Sequence, residues 1–358
     1  MIKLLVVDDS ALVRKLLGQV FGGEPDFEVR FARNGLEALE LLKPFAPDVI
    51  TLDIHMPQMD GLACLDRIMI ERPCPVVMVS TLTAEGAEAT LEAFRLGAVD
   101  FVPKPEGTVS LHIDDLAPEL IAKVRGAAGA KLKSSLRLAD RVRHRMGQAQ
   151  TTRRASRGET ATVERPTGDG LVLIGTSTGG PPALEALLTA LPAEFPWPIL
   201  VAQHMPASFT GPLANRLDRI CALQVVEVQR PVLVRPGTVY IGRGDADLVV
   251  TRRAGGLTAM AAPAQADYPW HPSTDRLVRS AMEHLPARQL IGVLMTGMGD
   301  DGAAGLLEMR TAGAQTLAQD EASCVVFGMP KEAIKRGAAQ RIVRLDDIAG
   351  EISAQRLH

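Results

Sequence analysis

The side chains with the most chemical potential stand directly after short apolar runs. Asp8 and Asp9 follow "KLLVV", Asp53 closes "DVITLD", Ser80 closes "PVVMVS", and Lys104 follows "VDFVP". Three carboxylates brought together repel one another unless a cation joins them, and hard oxygen ligands suit Mg²⁺. A carboxylate beside such an ion and a lysine is a nucleophile for a phosphoryl donor. Asp53 is placed for that role, with Asp8 and Asp9 as metal ligands and Ser80 as a hydrogen-bond donor to the incoming phosphoryl oxygens. The plainer alternative is that each acid caps the following helix. That alternative accounts for any one acid but not for four strand ends that each carry a useful group.

A second group lies past residue 170. "LVLIGTSTGGPPALEALL" (171–188) runs from an apolar strand through Gly175 and Ser177 into a helical pattern, with Pro181 and Pro182 suited to the first helical turn. "GTSTG" fits the G-x-S-x-G pattern of a nucleophile elbow, in which the following helix N-terminus favours a developing anion. A glycine-rich turn that binds phosphate, or merely packs tightly, fits the same five residues. A serine nucleophile needs a base and an orienting acid. His204 follows the strand "ILVAQ", and "VLMTGMGDDGAAG" (293–305) puts Asp300 and Asp301 after another strand. That turn also offers backbone amides near Met298 and Gly299 for an oxyanion hole. His271, in "YPWHPSTD", is the rival imidazole, as a substrate-contact loop. The order Ser, His, Asp differs from that of α/β-hydrolases.

These residues need elements to hold them. Apolar runs alternate with amphipathic ones over residues 1–122 and again from 169 to 358, which predicts two doubly wound, mainly parallel α/β domains. The first should be flavodoxin-like and the second Rossmann-like, with a hairpin insertion near 237–251. Sites in such sheets form at the carboxyl ends of strands. Between the domains, residues 123–168 hold twelve lysines and arginines against three acids and are rich in small residues. They read as a basic linker with one helical piece around Leu136–Met146. Its charge suits a solvated spacer, or docking on an acidic surface. "RRAS" (153–156) matches a basophilic kinase site no better than chance allows.

With 46% apolar residues and a net charge of −3, the chain can fill two cores and needs no polyanionic partner. Cys64, Cys74, Cys221 and Cys324 lack metal-type spacing and read as reduced core residues. With no signal-peptide layout and no bilayer-length apolar run, the expectation is a cytoplasmic protein that neither inserts in membranes nor binds nucleic acid.

The motifs "LLVVDDSALVRKLL", "DVITLDIHMPQMDGL", "VVMVSTLT" and "DFVPKP" resemble the receiver domain of bacterial two-component response regulators, over about residues 1–122. The resemblance implies that Asp53 is the phospho-acceptor and a chemotaxis histidine kinase the donor. It also implies that Ser80, Phe101 and Lys104 form the switch, and that the His55 carbonyl completes the Mg²⁺ shell. "IGTSTGGP", "QHMP", "LMTGMGDDGAAG" and "DEASCVVFGMPKEA" resemble the catalytic domain of the CheB family of chemotaxis protein-glutamate methylesterases. That implies Ser177 as nucleophile, His204 as general base and Asp301 as orienter, with the Met298 amide as oxyanion donor and Thr178 adjoining the nucleophile. It further implies methylated chemoreceptors as substrates, glutamine deamidation as a second activity, no cofactor in the catalytic domain, and a monomer. Control would come from an unphosphorylated receiver covering the Ser177 face. The long basic linker and "TST", where many relatives read "AST" or "SST", depart from the family pattern. Two other readings are a DNA-binding response regulator, which needs a helix-turn-helix after the linker, and a binding adaptor with a vestigial triad.

Overall fold

Burial on both faces of short parallel strands determines both sheets. The computed structural model describes residues 1–104, 113–132 and 170–354. The predicted helical piece at 136–146 and the "RRAS" segment lie outside them. The first domain runs β1 (Ile2–Val7), α1 (Ala11–Gly22), β2 (Phe27–Ala32), α2 (Gly35–Phe45), β3 (Val49–Asp53), α3 (Gly61–Glu71), β4 (Val76–Ser80), α4 (Ala84–Leu96), β5 (Asp100–Pro103) and α5 (Ile113–Ala128). Its sheet order is β2-β1-β3-β4-β5, all parallel, as expected of a flavodoxin-like domain.

Helix caps come from residues other than the acids of interest. Ser10, Asn34, Asp60 and Thr83 accept from the first-turn amides of Val13, Glu37, Ala63 and Gly86. The carboxylates of Asp8 and Asp53 are thus left to the strand ends. Helix α5 continues past residue 122, and Leu120, Val124 and Ala127 are buried against β1, β4 and α1 residues such as Leu4, Val77 and Leu17. The helix therefore packs as part of the first domain up to Ala128.

The second domain runs β6 (Leu171–Thr176), α6 (Gly180–Thr189), β7 (Ile199–Gln203), α7 (Ala207–Ile220), β8 (Gln224–Val228), β9 (Val232–Leu233), β10 (Thr238–Gly242), β11 (Ala246–Arg253), β12 (Gly256–Pro263), α8 (Thr274–Met282), β13 (Leu290–Leu294), α9 (Ala303–Thr311), β14 (Gln315–Gln319), α10 (Met329–Lys335), β15 (Arg341–Val343) and α11 (Leu345–Ala354). The seven-stranded parallel sheet is ordered β15-β14-β13-β6-β7-β10-β8. Alternate residues of β6 serve opposite cores: Val172 and Ile174 pack with α6, α7 and α11, whereas Leu171 and Leu173 pack with α8, α9 and α10. The strand order reverses at β6 and β13, which opens a crevice at their carboxyl ends.

The expected hairpin near 237–251 is corrected. Thr238–Gly242 is buried throughout and lies in the main parallel sheet between β7 and β8. The insertion is instead β11 paired antiparallel with β12, with β9 at its edge. An unbroken apolar run is what a central strand requires, whereas β11 alternates toward its end as a one-sided hairpin does.

The two domains meet along β5, α4 and α5 of the first. Phe101 packs against Phe209 of α7, with ring centroids 4.2 Å apart and the planes tilted by 32°. Lys131 donates to Glu321 at 3.0 Å, and Arg216 lies 3.9 Å from Glu92.

Both tryptophans, Trp197 and Trp270, belong to the second domain, which separates the two unfolding signals. Leu120→Ala should cost the first domain about 2–5 kcal/mol. Urea unfolding followed by far-UV circular dichroism should show the first transition moving to lower urea, while tryptophan fluorescence reports an unmoved second one.

Candidate active site

Ser177 and His204 stand one residue beyond the last register pair of β6 and β7, Thr176 with Gln203. Neighbouring strand ends therefore present them side by side. Gln203, buried, ties both together: its amide nitrogen donates to the Ser177 carbonyl at 3.0 Å and to the His204 carbonyl at 3.1 Å. The His204 amide donates to the Thr176 carbonyl at 3.0 Å. Gly179 takes φ +75° at the start of α6, a turn that favours glycine, and Pro181 and Pro182 occupy the first helical turn as expected.

The turn after β13 is fastened to the same corner. The Thr296 carbonyl accepts from the Ser177 amide at 3.0 Å and from Thr176 Oγ1 at 2.8 Å. Thr296 Oγ1 donates to the Thr178 carbonyl at 2.9 Å. A Cβ at Gly297 would lie 2.7 Å from Ser177 Cβ, so only glycine permits this approach. The Met298 amide has no backbone acceptor among the described residues and follows that glycine directly.

Asp301 is buried and meets His204, with Oδ2 lying 2.8 Å from Nε2. It also accepts from Ser273 Oγ at 2.9 Å and from the amides of Thr274 at 2.6 Å and Asp275 at 3.2 Å. These donors form the N-terminus of α8, where the helix dipole favours an anion. Burial by itself pushes the Asp301 carboxyl up, but the hydrogen bond and charge of His204 and the two amides outweigh it and hold the group below the usual range. A carboxylate only accepts, so whenever the ring is neutral Nε2 carries the proton and Nδ1 the lone pair. Nδ1 is buried and makes no hydrogen bond among the described residues. No hydrogen bond links Ser177 Oγ to it among the described residues.

Asp300 is separated from this arrangement: it is exposed and pairs with Arg336. His271 is also separate, its Nδ1 lying 2.9 Å from the buried Asp247 on β11. Ser273, Thr274, Asp275 and Asp247 escaped sequence reasoning, although Ser273 is a helix-cap residue that the "HPSTD" stretch displays openly.

In the first domain, Lys104 Nζ donates to Asp53 Oδ2 at 2.8 Å and stands 3.6 Å from Asp8 and 4.0 Å from Asp9. One ligand oxygen from each of Asp8, Asp9 and Asp53 falls within 4.8 Å of the others. Asp8 Oδ2 is buried and accepts no hydrogen bond among the described residues, which is what a group awaiting a cation should show. Burial first, then the Asp53 charge, pushes the Asp8 carboxyl up to about 6. Burial also raises Asp53, against the opposing pull of Lys104. His55 is exposed, and its amide donates to Asp53 at 3.4 Å. Ser80 turns away from Asp53, its hydroxyl donating to the Gly86 carbonyl at 3.0 Å.

The four cysteines are free, and burial pushes the Cys64, Cys74 and Cys221 thiols up to about 12, as inert core groups. No helix among the described residues is long and apolar enough to cross a membrane. The second domain's seven-stranded parallel sheet leaves no basis for the DNA-binding reading.

The fold and these strand-end groups define a receiver domain joined to an α/β domain that carries a serine, a histidine and an aspartate along one sheet edge. The family model for the response regulator receiver domain matches residues 4–113, and that for CheB methylesterase matches residues 172–352. The chain belongs to the CheB methylesterase family. It is 54% identical over 356 residues to the protein-glutamate methylesterase/protein-glutamine glutaminase 2 of Rhodopseudomonas palustris, covering 98% of this chain and 97% of that one. It is 51% identical to protein-glutamate methylesterase/protein-glutamine glutaminase 3 of Rhodospirillum rubrum, covering 99% and 96%. The crystal structure of the Thermotoga maritima CheB methylesterase catalytic domain aligns with a TM-score of 0.50 at 37% identity, covering 51% of this chain and 97% of that one.

Asp8 and Asp301 link stability to pH with opposite signs. Asp301, held low, contributes stability that is present above the unfolded value of about 4 and lost as pH falls through its lower folded value. Asp8 titrates near 6 when folded, so the folded chain binds the extra proton, and stability falls as pH rises from about 4 to about 6. In metal-free buffer, Asp8→Asn should therefore stabilise the first domain by about 3 kcal/mol above pH 7, with the gain vanishing below about pH 4. Urea titrations across that range check both the sign and the window.

Proposed function

We propose that the chain is a phosphorylation-controlled protein-glutamate methylesterase, and a protein-glutamine deamidase, acting in the cytoplasm on methylated chemoreceptor segments. The observation that carries this reading is the His204 ring. Its Nε2 is committed to Asp301, and its Nδ1 is buried, basic and unpaired beside the Ser177 turn.

In this reading, Ser177 Oγ gives its proton to His204 Nδ1 as it bonds to the ester carbonyl carbon of a receptor glutamate. Asp301 keeps the ring oriented and balances the imidazolium. The carbonyl oxygen takes the negative charge and is met by the Met298 amide at the turn that Thr296 and Gly297 hold against Ser177. When the tetrahedral adduct collapses, the C–O bond to methoxide breaks, and the imidazolium proton leaves with it as methanol. Water then attacks the glutamyl-serine ester while His204 takes a water proton. The proton returns to Ser177 as the glutamate carboxylate departs. With a glutamine substrate the C–N bond breaks instead, and the leaving nitrogen takes the imidazolium proton as ammonia.

Asp53 is the phospho-acceptor for a chemotaxis histidine kinase in the same reading. Asp8, Asp9, Asp53 and the His55 carbonyl would hold Mg²⁺, which when bound offsets charge on the transferred phosphoryl group. Lys104 holds Asp53 directly and adds a fixed cation. The receiver restrains the catalytic turn: Thr178 Oγ1 donates to the buried Asp100, and the Gly179 amide donates to the Val99 carbonyl at 3.2 Å. Asp100 adjoins Phe101, and Thr178 adjoins Ser177. Phosphorylation that turns Ser80 toward Asp53 and moves Phe101 would loosen both bonds.

Methanol release from methylated receptor membranes, with and without a small-molecule phosphodonor, tests the reading. Ser177→Ala should lower the stimulated rate by about 10³-fold or more, and an unaffected rate would refute the assignment of the nucleophile. Asp100→Ala should raise the unstimulated rate about 5–10-fold and leave the stimulated rate alone, as loss of one buried hydrogen bond implies. An unchanged unstimulated rate would reject restraint through this contact.

A further inference from the structure

Trp270 has been given no role so far, yet its indole stacks on the His204 ring. The ring centroids are 5.5 Å apart and the planes only 7° from parallel. The His204 side chain is only 8% exposed, and the indole lies over one face of it. The indole sits in a prepared place. The next residue, His271, is bound through Nδ1 to Asp247 Oδ1, which also accepts from the Ser273 amide at 2.7 Å. Arg276 Nη1 donates to Asp247 Oδ2 at 2.6 Å. Asp247 is fully buried on β11, so the hairpin insertion anchors the segment on both sides of the cis His271–Pro272 bond. On the side of the β13 turn, a Cβ at Gly299 would come within 3.3 Å of the indole. The indole therefore fills the space between His204 and the turn that carries Met298.

The geometry points to Trp270 as a positioning residue for acyl transfer: its face holds the His204 ring in register with Asp301 and stabilises the imidazolium formed when the serine proton arrives. This rests on the reading of His204 as general base. An aromatic face carries negative charge density and attracts a cation within about 6 Å of its centroid, tryptophan most strongly. The neutral ring gains only stacking from the same contact. The interaction is therefore stronger in the charged transition state than in the resting state, which is the condition for raising kcat rather than lowering KM. Among the other charged groups around the dyad, Asp301 is bound to Nε2, Asp275 gives its amide to Asp301, and Asp300 pairs outward with Arg336. His271 and Arg276 are both engaged by Asp247.

The test compares full-length wild type with Trp270→Leu and Trp270→Phe in phosphodonor-stimulated methanol release. Trp270→Leu should lose about tenfold in kcat with KM changed less than about twofold, and Trp270→Phe should recover most of the loss. The acid limb of the kcat profile should move to lower pH by about half to one pH unit in Trp270→Leu, because the protonated ring loses its partner, and return in Trp270→Phe. Unchanged kcat and acid limb in Trp270→Leu, or a raised KM at constant kcat, would overturn the proposal. A phenylalanine variant no better than leucine would overturn it as well. If wild type releases no methanol, the esterase reading fails separately. The stack is then judged by histidine nitrogen NMR of the Ser177→Ala protein, where the His204 signal should still titrate at lower pH in Trp270→Leu.

Discussion

A buried carboxylate is tolerated only when donors replace the water it has lost. Asp301 meets that requirement with four donors drawn from separate parts of the second domain: the His204 ring after β7, the Ser273 hydroxyl, and two amides at the start of α8. Each donor is itself fixed by an element packed into one of the two cores. Removing any one of them would leave charge uncompensated. The demand of a single anion thus locks the β7 loop, the β13 turn and the α8 N-terminus into one arrangement. The same demand selects the histidine tautomer, and the tautomer decides which ring nitrogen is left basic.

The nucleophile corner obeys a related constraint. Its backbone polar groups are buried at the end of a central strand and must pair. Thr296 answers most of that need by accepting from Thr176 and Ser177 and donating to Thr178. The remaining groups of the corner reach across to the receiver, where Val99 accepts from Gly179 and Asp100 from Thr178. Lys123 also faces this junction. Burial works against its charge, but Asp100 and Glu119 more than compensate and raise it. The receiver therefore completes the hydrogen bonding of the turn that follows Ser177. Phe101 sits next to Asp100 and against Phe209, so β5 touches the second domain at adjacent residues.

Much of this was legible in the linear order. Asp8, Asp53, Ser177, His204 and Asp301 each follow an apolar run, and in a parallel sheet the ends of such runs converge. The glycines and prolines around Ser177 advertised a tight strand-to-helix corner. Other features were hidden for physical reasons. Strand β12, "GLTAMAAP", is built of small residues with little strand signature, so its hairpin partner was misplaced onto β10. The partner of the Ser80 hydroxyl, the Gly86 carbonyl, also left no sign in the linear order. Trp270, Asp247 and Asp100 sit in ordinary-looking stretches, and their importance comes from what other segments bring against them.

By itself, the sequence determined the two α/β folds and which side chains stand at their strand ends, because local periodicity and glycine placement are encoded over a few residues. Only the tertiary structure decided that the N-terminus of helix α8 holds Asp301 against His204, since that depends on how the helix is aimed from elsewhere in the chain. It alone decided that a buried acid on the insertion anchors the segment bearing Trp270, and that the receiver bonds to the nucleophile's own turn. Those contacts join residues from 24 to 97 positions apart, and a long-range hydrogen bond leaves no mark on the residues nearest to it in sequence.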